Sequence, residues 1–254
     1  QVRGRVMQSL GIEIIRSFLI APANRGAARG RGKVFVVLEA DLMSQEAQNA
    51  LLKTLEEPPG GARIVLISRR PDQLLPTTRS RCSLIRFSLL PERFVIERLT
   101  GEGVEQAEAG FWARLTGGSL GRALEFHKAG LYETKQQVLE RLAALAGGDG
   151  ADVASFLAKT MDALAEQAVR DAKAESDAAL SKMLASRRAA GVMLEFMAAA
   201  YRDAMAAAAG AGRASVHADQ PEAIAAIAER FSPTQLAEIL EQLSEYERLL
   251  WRNV

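Results

Sequence analysis

Two short apolar runs near the start of the chain predict its first strands. Val34 to Leu38 and Ile64 to Ile67 are continuous and rich in β-branched residues, which is typical of strands buried on both faces of a parallel sheet. Between them, Ser44 is placed to cap a helix that runs to Glu57, where a Pro-Pro pair ends it. The order strand, helix, strand requires a right-handed crossover and therefore a parallel pair.

Apolar patterns on either side extend this α/β region. Ile12 to Leu19 predicts a helix that leads into a loop rich in glycine and arginine, from Arg25 to Gly32. Ser83 to Phe87 predicts a further short strand. This arrangement is half of an α/β nucleotide-binding sheet. We expect the first strand and the phosphate loop before Gln1. Because the chain begins with Gln1 rather than Met and starts and stops inside apparent helices, we interpret it as a fragment truncated at both ends.

From Pro91 onward the pattern predicts helices only. Three short helices are expected at 91–99, 105–115 and 120–129, separated by glycines in the manner of a small helical lid. Beyond a predicted boundary near Gly130 the sequence is alanine-rich and amphipathic, with glycine-rich breaks at 147–150 and 210–212.

The last helix has the clearest start. Ser232 is a capping residue, Pro233 occupies the first helical position, and Gln235 stands three residues after the serine. The apolar residues that follow form one stripe: Leu236, Ile239, Leu240, Leu243, Tyr246 and Leu250. Such a stripe needs a partner, which is either another helix of the same bundle or a neighbouring subunit.

Composition excludes several classes of protein. The chain has 254 residues, 48% of them hydrophobic and 25% charged, and a formal net charge of +1, so neither disorder nor a strongly basic character is expected. With one cysteine, Cys82, and two histidines, no disulfide framework and no metal site are predicted. No apolar run approaches the ~20 residues of a membrane span. These features are typical of a cytoplasmic protein.

The segment ending at Gly32 and Lys33 is not a phosphate loop. The motif would need a glycine where Ala27 stands and a serine or threonine at Val34. The segment also leads into a strand, whereas a phosphate loop follows a strand and opens a helix. We therefore interpret it as a solvated basic loop.

Two motifs carry a resemblance to a known family. The first is Leu51-Leu52-Lys53-Thr54-Leu55-Glu56-Glu57-Pro58-Pro59, and the second is Ser80-Arg81-Cys82, preceded by Leu74-Leu75-Pro76-Thr77. Together they resemble the clamp-loader subunits of bacterial DNA polymerase III, which are AAA+ proteins. The resemblance covers most of the first 130 residues by motif and the remainder only by its helical character.

The resemblance implies that Arg81 is an arginine finger. In this family the corresponding segment presents an arginine to the nucleotide of the neighbouring subunit. A guanidinium stays charged and forks onto phosphate oxygens, and such a finger accelerates phosphoryl transfer by ~10³ to 10⁵. Without the resemblance, an arginine between serine and cysteine would be an ordinary surface residue. Cys82 is then expected to be a small buried side chain and not a nucleophile.

The resemblance also implies a degenerate acidic site. Subunits that hydrolyse ATP carry an Asp-Glu pair after the first strand described here, whereas this chain has Leu38 and Glu39. An aliphatic side chain cannot organise Mg²⁺, so hydrolysis by this chain is not expected. Glu39 and Asp41 are interpreted as caps of the following helix.

Four further residues are weaker candidates. Arg122, in a Gly-Gly-Ser-Leu-Gly-Arg segment, and Ser68, after the second strand, correspond to nucleotide-sensing positions of the family. Arg122 is equally well explained as a solvated residue after a helix break. Lys53 and Arg63 are candidate contacts with duplex DNA, although a lone lysine on a helix is more often only solvated.

The resemblance implies the following organisation and role. Residues 1–90 are expected to be the C-terminal part of an AAA+ α/β domain, 91–130 a three-helix lid, and 131–254 an all-α collar for oligomerisation. Within the family, the Leu-Leu-Pro-Thr segment and the degenerate acidic site favour the non-hydrolysing delta-prime type, a stator. Its partners would be gamma/tau and delta subunits, the sliding clamp and primed DNA. The chain would hold no cofactor, since the neighbour binds ATP and Mg²⁺.

Two alternatives stay open. One is an ATP-hydrolysing gamma/tau-type subunit whose phosphate loop precedes this chain, which Leu38 disfavours. The other is a helical scaffold or regulator with no role in nucleotide chemistry. A phosphate loop upstream of Gln1 would favour the first, and a partner ATPase indifferent to the protein would favour the second.

Overall fold

The computed structural model describes residues 9–25, 32–145, 150–175, 181–211 and 215–252. The chain divides between Phe87 and Ser88 into two compact units, called unit 1 and unit 2 below. Within the described ranges, no helix is both long enough and apolar enough to cross a membrane.

Unit 1 is a small parallel sheet with helices. Its elements are α1 (Ile12–Ile15), a π-helical turn (Arg16–Ile20), α2 (Ala21–Asn24), β1 (Val34–Val37), a 3₁₀ turn (Ala40–Leu42), α3 (Gln45–Glu56), a 3₁₀ turn (Pro59–Gly61), β2 (Arg63–Leu66), a 3₁₀ turn (Pro71–Gln73) and α4 (Pro76–Arg79). Strands β1 and β2 pair in parallel, with Val34 opposite Arg63 and Val37 opposite Leu66. The predicted strand, helix, strand order is therefore confirmed.

Local capping explains where α3 begins. The Ser44 side chain accepts a hydrogen bond from the Ala47 amide at 3.2 Å, as predicted for the N-cap. The interpretation of Glu39 and Asp41 as caps of this helix is wrong. Glu39 has a left-handed backbone with φ of 51° and makes no side-chain cap, and the Asp41 carboxylate is bonded elsewhere in unit 1, as described below.

One face of the sheet carries the core of unit 1. Its buried members are Ile15, Leu19, Ala40, Met43, Ala47, Leu51 and Leu74. The opposite face is exposed among the described residues, with Val36 54% and Leu38 64% exposed. The prediction of strands covered on both faces is thus wrong for this part of the chain, because all the described helices that pack on the sheet contribute to the single core.

The predicted strand from Ser83 to Phe87 is also absent. These residues have no regular structure, and Ile85 and Phe87 are 74% and 93% exposed. A strand needs a hydrogen-bonded neighbour, and none of the described segments supplies one here. An apolar run was therefore not sufficient to predict a strand at this position.

The loop between α2 and β1 is described only at its ends, since residues 26–31 fall outside the described ranges. Lys33 donates hydrogen bonds from Nζ to the carbonyls of Pro22 and Arg25, both at 2.7 Å. The carbonyls at a helix end lack partners within the helix. Lys33 thus satisfies carbonyls at the end of α2.

Unit 2 is entirely helical in its described parts. Its helices are α5 (Glu92–Gly101), α6 (Gln106–Leu115), α7 (Leu120–Lys128), α8 (Leu131–Ala144), α9 (Gly150–Glu175), α10 (Lys182–Ala208), α11 (Pro221–Arg230) and α12 (Pro233–Arg252). The three predicted short helices are present within two residues of their expected ends. Of the predicted breaks, residues 146–149 and 212–214 fall outside the described ranges.

The larger hydrophobic core of unit 2 includes residues of α6, α7, α8 and α10. Phe111 and Trp112 of α6 are fully buried, with ring centroids 4.8 Å apart, and Trp112 also meets Phe126 of α7. The same cluster includes Leu139 of α8 and Phe196 of α10. The core therefore draws residues from both sides of Gly130, and the expected division between lid and collar at that residue stays a prediction.

Gly118 is fixed by close packing of backbone. It has φ of 88°, and a Cβ atom there would lie 2.4 Å from the Leu90 carbonyl oxygen. The Leu90 amide in turn donates to the Gly118 carbonyl. A glycine is required at this position for steric reasons, independently of any nucleotide-sensing role.

Helix α12 begins with the predicted reciprocal cap. The Ser232 hydroxyl accepts from the Gln235 amide at 3.3 Å, and Gln235 Oε1 accepts from the Ser232 amide at 2.9 Å. The apolar stripe then divides. Leu236 is fully buried, whereas Tyr246 is 58% exposed. The first half of the stripe packs inside its own unit, whereas in the second half Tyr246 is exposed and Leu250 is half-buried.

Candidate functional site

The segment that carries Arg81 is held in place by a buried glutamine. Gln48 of α3 is 2% exposed, and its Oε1 accepts a hydrogen bond of 2.7 Å from the Leu75 amide. Its Nε2 donates to the Met43 carbonyl at 3.1 Å. Pro76 follows at the first position of α4. Gln48 therefore fixes the start of α4 against α3, and hence the position of the turn after it.

Arg81 lies at the end of this turn and contacts α3. Its Nε donates to Glu56 Oε1 at 2.6 Å, and its Nη2 forms an ion pair with the same oxygen. Nη1 donates to the Thr77 carbonyl at 3.0 Å and lies 3.4 Å from Ser80 Oγ. The Arg81 side chain is 33% exposed and that of Glu56 47% exposed. The guanidinium is thus held at several points while staying accessible.

Cys82, next to Arg81, is only partly buried, which differs from the expectation of a buried side chain. Burial of the thiol nevertheless raises the pKa of Cys82 above its ordinary value. A raised pKa lowers the thiolate fraction at neutral pH, so the structure gives Cys82 no nucleophilic character.

Ser68 and Arg70 converge on Asp41 beyond the end of β2. Ser68 Oγ donates to Asp41 Oδ1 at 2.9 Å, and Arg70 Nε donates to Oδ2 at 3.3 Å. Burial of the carboxylate opposes its ionisation, but these bonds, that of Ser68 foremost, hold the pKa of Asp41 below its usual value. This cluster was missed by sequence reasoning, which treated Asp41 only as a cap. Ser68 is thus engaged within its own unit.

The degenerate acidic site contains no paired carboxylates. Leu38, which directly follows β1, is exposed, and Glu39 makes no side-chain hydrogen bond to any described residue.

The candidate DNA contacts Lys53 of α3 and Arg63 of β2 are also exposed, without ion pairs to the described residues. Their contact with DNA stays a prediction. In the described ranges, no three His, Cys, Asp or Glu side chains are close enough to hold a metal ion.

Arg122 belongs to unit 2 and is bound there. Its Nη2 donates to both carboxylate oxygens of Glu195 on α10, at 2.7 and 3.0 Å, and its guanidinium lies 5.1 Å from the centre of the Phe126 ring. Burial raises the pKa of Glu195 against the opposing charge of Arg122. Arg122 therefore links α7 to α10, a role that its sequence context did not indicate.

Two family profiles match the sequence. One, described as DNA polymerase III, delta subunit, matches residues 3–91, and the other, described as DNA polymerase III, delta subunit, C terminal, matches residues 157–254.

Curated relatives show the same relationship. DNA polymerase III subunit delta' of Escherichia coli strain K12 is 36% identical over 136 residues, which are 53% of this chain and 40% of that protein. The subunit delta' of Pseudomonas aeruginosa is 37% identical over 121 residues, 45% of this chain and 35% of that protein. The matched region thus spans less than half the length of either relative.

Among solved structures, a DNA polymerase III gamma subunit-related protein from Thermotoga maritima aligns with 96% of this chain and 81% of its own length. It is 21% identical and has a TM-score of 0.43.

The two profiles and the relatives indicate the class of clamp-loader subunits, and the parallel α/β unit that contains the Ser-Arg-Cys segment and the helical unit agree with it. The predicted fold class is confirmed by the two units and by the family match. The chain belongs to the family of bacterial DNA polymerase III clamp-loader subunits, and within it to the delta-prime type.

Proposed function

We propose that this protein is a non-hydrolysing stator of the clamp loader, which presents Arg81 to ATP bound by a neighbouring subunit. The observation that carries the proposal is the placement of Arg81. Its guanidinium is held by Glu56 and by the Thr77 carbonyl, yet a third of the side chain stays exposed. A catalytic arginine must be both fixed and accessible, because its charge has to be in position before the transition state forms.

The absence of hydrolysis by this subunit is part of the same proposal. Leu38 stands where an ATP-hydrolysing relative has its metal-organising aspartate, and its side chain offers no oxygen ligand. ATP and Mg²⁺ are then held by the neighbour and not by this chain. The purified full-length protein alone should show no steady ATP turnover, and turnover free of contaminants would contradict this.

Assembly is proposed to involve the exposed apolar side chains near the end of α12. Tyr246, Leu249 and Trp251 are each 45% exposed or more, which is unusual for large apolar side chains so close together on one helix. In the proposed ring, gamma/tau and delta subunits would cover such surfaces, and the assembled complex would act on the sliding clamp and on primed DNA. This role belongs to the replisome in the bacterial cytoplasm.

The contacts of Ser68 and Arg122 among the described residues do not by themselves support a nucleotide-sensing role. Each is hydrogen-bonded to a carboxylate of its own unit, Asp41 and Glu195 respectively. A nucleotide would have to compete with those carboxylates. The sensing function of both residues stays a prediction from family resemblance.

The proposal is tested by Arg81→Ala in the full-length protein, reconstituted with its partner subunits. We expect normal assembly and a reduced ATPase rate in the presence of clamp and primed DNA. The loss can fall short of the ~10³-fold effect of a single-site finger, since other subunits supply their own arginines. Arg81→Lys should restore little, because an ammonium lacks the planar fork.

Arg79→Ala is the matched control. Arg79 is also an exposed arginine of this segment, and its ion pair with Asp72 is at the surface. The control should keep the wild-type ATPase rate. A wild-type rate for Arg81→Ala, with assembly verified, would show instead that Arg81 is an ordinary surface residue.

A further inference from the structure

The contact between Glu56 and Arg81 joins the two motifs of unit 1. Glu56 is the last residue of α3, and Arg81 follows α4, so 25 positions separate them in sequence. One carboxylate oxygen of Glu56 receives both Nε, at 2.6 Å, and Nη2. No other carboxylate contacts Arg81 among the described residues. Glu56 is therefore the one charged group there that orients the guanidinium.

The geometry of guanidinium determines which edge is used. Nε has a single N–H, and the N–H of Nη2 on the same side lies parallel to it, so the Glu56 carboxylate occupies the Nε/Nη2 edge. Nη1 is directed toward the Thr77 carbonyl and Ser80 Oγ. Nη2 keeps a second N–H on the side away from Nε. No described residue bonds to this N–H, so a phosphate oxygen bound there need not displace Glu56.

We propose that Glu56 is a positioning residue for Arg81, which holds the finger through one edge and leaves another edge for the neighbour's phosphate. This inference rests on the proposed function of Arg81. An arginine side chain has many rotamers. A carboxylate that favours one of them raises the fraction of molecules in which the guanidinium already lies in the position required for catalysis. The pair is partly exposed, so its effect is moderate, a factor of about 2 to 5 in rate.

The test compares single and double variants of the full-length protein in the reconstituted loader. Glu56→Gln keeps the shape of the side chain but removes its charge. We expect it to lower kcat of the clamp- and DNA-stimulated ATPase by about 2- to 5-fold, with KM for ATP unchanged, because a finger acts in the transition state. The double variant of Glu56→Gln and Arg81→Ala should match Arg81→Ala alone, since Glu56 acts only through Arg81.

Glu57→Gln is the matched control. Glu57 is the neighbouring exposed glutamate, and its side chain has no hydrogen bond or ion pair with another described residue. This variant should keep the wild-type kcat and KM. A purely structural effect of removing a negative charge from the end of α3 would appear in both variants.

The outcomes separate this inference from the proposed function. If Arg81→Ala lowers the ATPase rate and Glu56→Gln does not, the positioning role of Glu56 is wrong, while the proposed function of Arg81 is supported. If Glu56→Gln raises the rate, the carboxylate competes with phosphate, and the positioning role is also wrong. A further loss when Glu56→Gln is added to Arg81→Ala would likewise overturn it. If Arg81→Ala has the wild-type rate, the proposed function fails and this inference with it.

Discussion

The ion pair between Lys135 and Asp219 in unit 2 is buried, whereas the ion pair between Arg81 and Glu56 in unit 1 is partly exposed. Lys135 and Asp219 of unit 2 form an ion pair with side chains 0% and 5% exposed. Arg81 and Glu56 of unit 1 form one with side chains 33% and 47% exposed. An exposed pair contributes little to stability and keeps its charges available, while a buried pair is costly to break.

The two units also differ in the size of their cores and in where their charged side chains lie. Unit 2 has one large core around Phe111 and Trp112, and its buried charges connect loops to helices within that core. Unit 1 has a smaller core, an exposed apolar sheet face and exposed arginines. Substituting a buried charge of unit 2 such as Asp219 should therefore change the stability of the fold, whereas substituting Arg81 of unit 1 should change the stability little and act on the proposed function.

The largest expected effect is that of Asp219→Asn. It leaves the fully buried Lys135 ammonium without a counter-charge, with Gln220 Oε1 at 3.0 Å as a remaining acceptor. Burial already lowers the pKa of Lys135 against the stabilising effect of Asp219. We expect a loss of about 3 to 5 kcal/mol in the free energy of unfolding. Urea unfolding followed by tryptophan fluorescence measures it, since Trp112 and Trp251 both belong to unit 2.

Asp162→Asn is the control for this substitution. Asp162 is exposed on α9 and has no ion pair with another described residue. Its replacement should change the free energy of unfolding by less than about 0.5 kcal/mol. Equal effects of the two substitutions would remove the distinction between buried and exposed charges on which the comparison depends.

Asp203→Asn should have a smaller effect that depends on pH. Burial opposes ionisation of Asp203, but hydrogen bonds from His217 and Ser215 hold the pKa of its carboxyl below the ordinary 3.8. The unfolded chain therefore binds this proton more readily than the folded one, so the stabilisation is present above pH 3.8 and is lost as pH falls through the lower folded value.

At pH 7 we expect Asp203→Asn to cost about 1 to 3 kcal/mol. This difference from wild type should shrink in urea unfolding series taken from pH 7 down to pH 3. A difference that stays constant over the whole range would mean that the carboxylate charge of Asp203 does not contribute to stability.

Arg122→Ala should cost about 1 to 2 kcal/mol of stability, because it removes charge-assisted hydrogen bonds that are partly exposed. If Arg122 acts only as the link between α7 and α10, a Glu195→Gln variant should weaken unit 2 in the same way. Neither should alter the partner's ATPase beyond its effect on folding. A specific loss of ATPase for Arg122→Ala alone would instead support the nucleotide-sensing role that the family resemblance implies.

The smallest expected effect on stability is that of Arg81→Ala, within about 0.5 kcal/mol. Its ion pair with Glu56 is partly exposed, and such pairs contribute little to stability. Urea unfolding of the full-length protein measures the effect. A loss of unfolding free energy as large as that for Asp219→Asn would show that Arg81 is a structural residue of unit 1. The contrast between the two ion pairs would then be wrong.

Local patterns predicted most of the elements but not the contacts between charges. The strands, α3 and the reciprocal cap of α12 depend on neighbouring residues, so periodicity and capping rules identified them. By contrast, 73 positions separate Arg122 from Glu195, and 84 separate Lys135 from Asp219. No local pattern links such residues. Gln48 is an exception, because a glutamine beside Ala47 and Leu51 on the apolar face of α3 could have indicated a buried hydrogen bond.

The most direct test of the finger uses a transition-state analogue. The full-length protein, wild type or Arg81→Ala, is assembled with its partners, and binding of ADP with aluminium fluoride to the neighbouring subunit is measured beside that of a non-hydrolysable ATP analogue. A finger acts on the charge of the transition state, so Arg81→Ala should weaken binding of the fluoride complex by at least about tenfold and that of the ATP analogue far less. Equal affinities of the two assemblies for the fluoride complex would contradict the account.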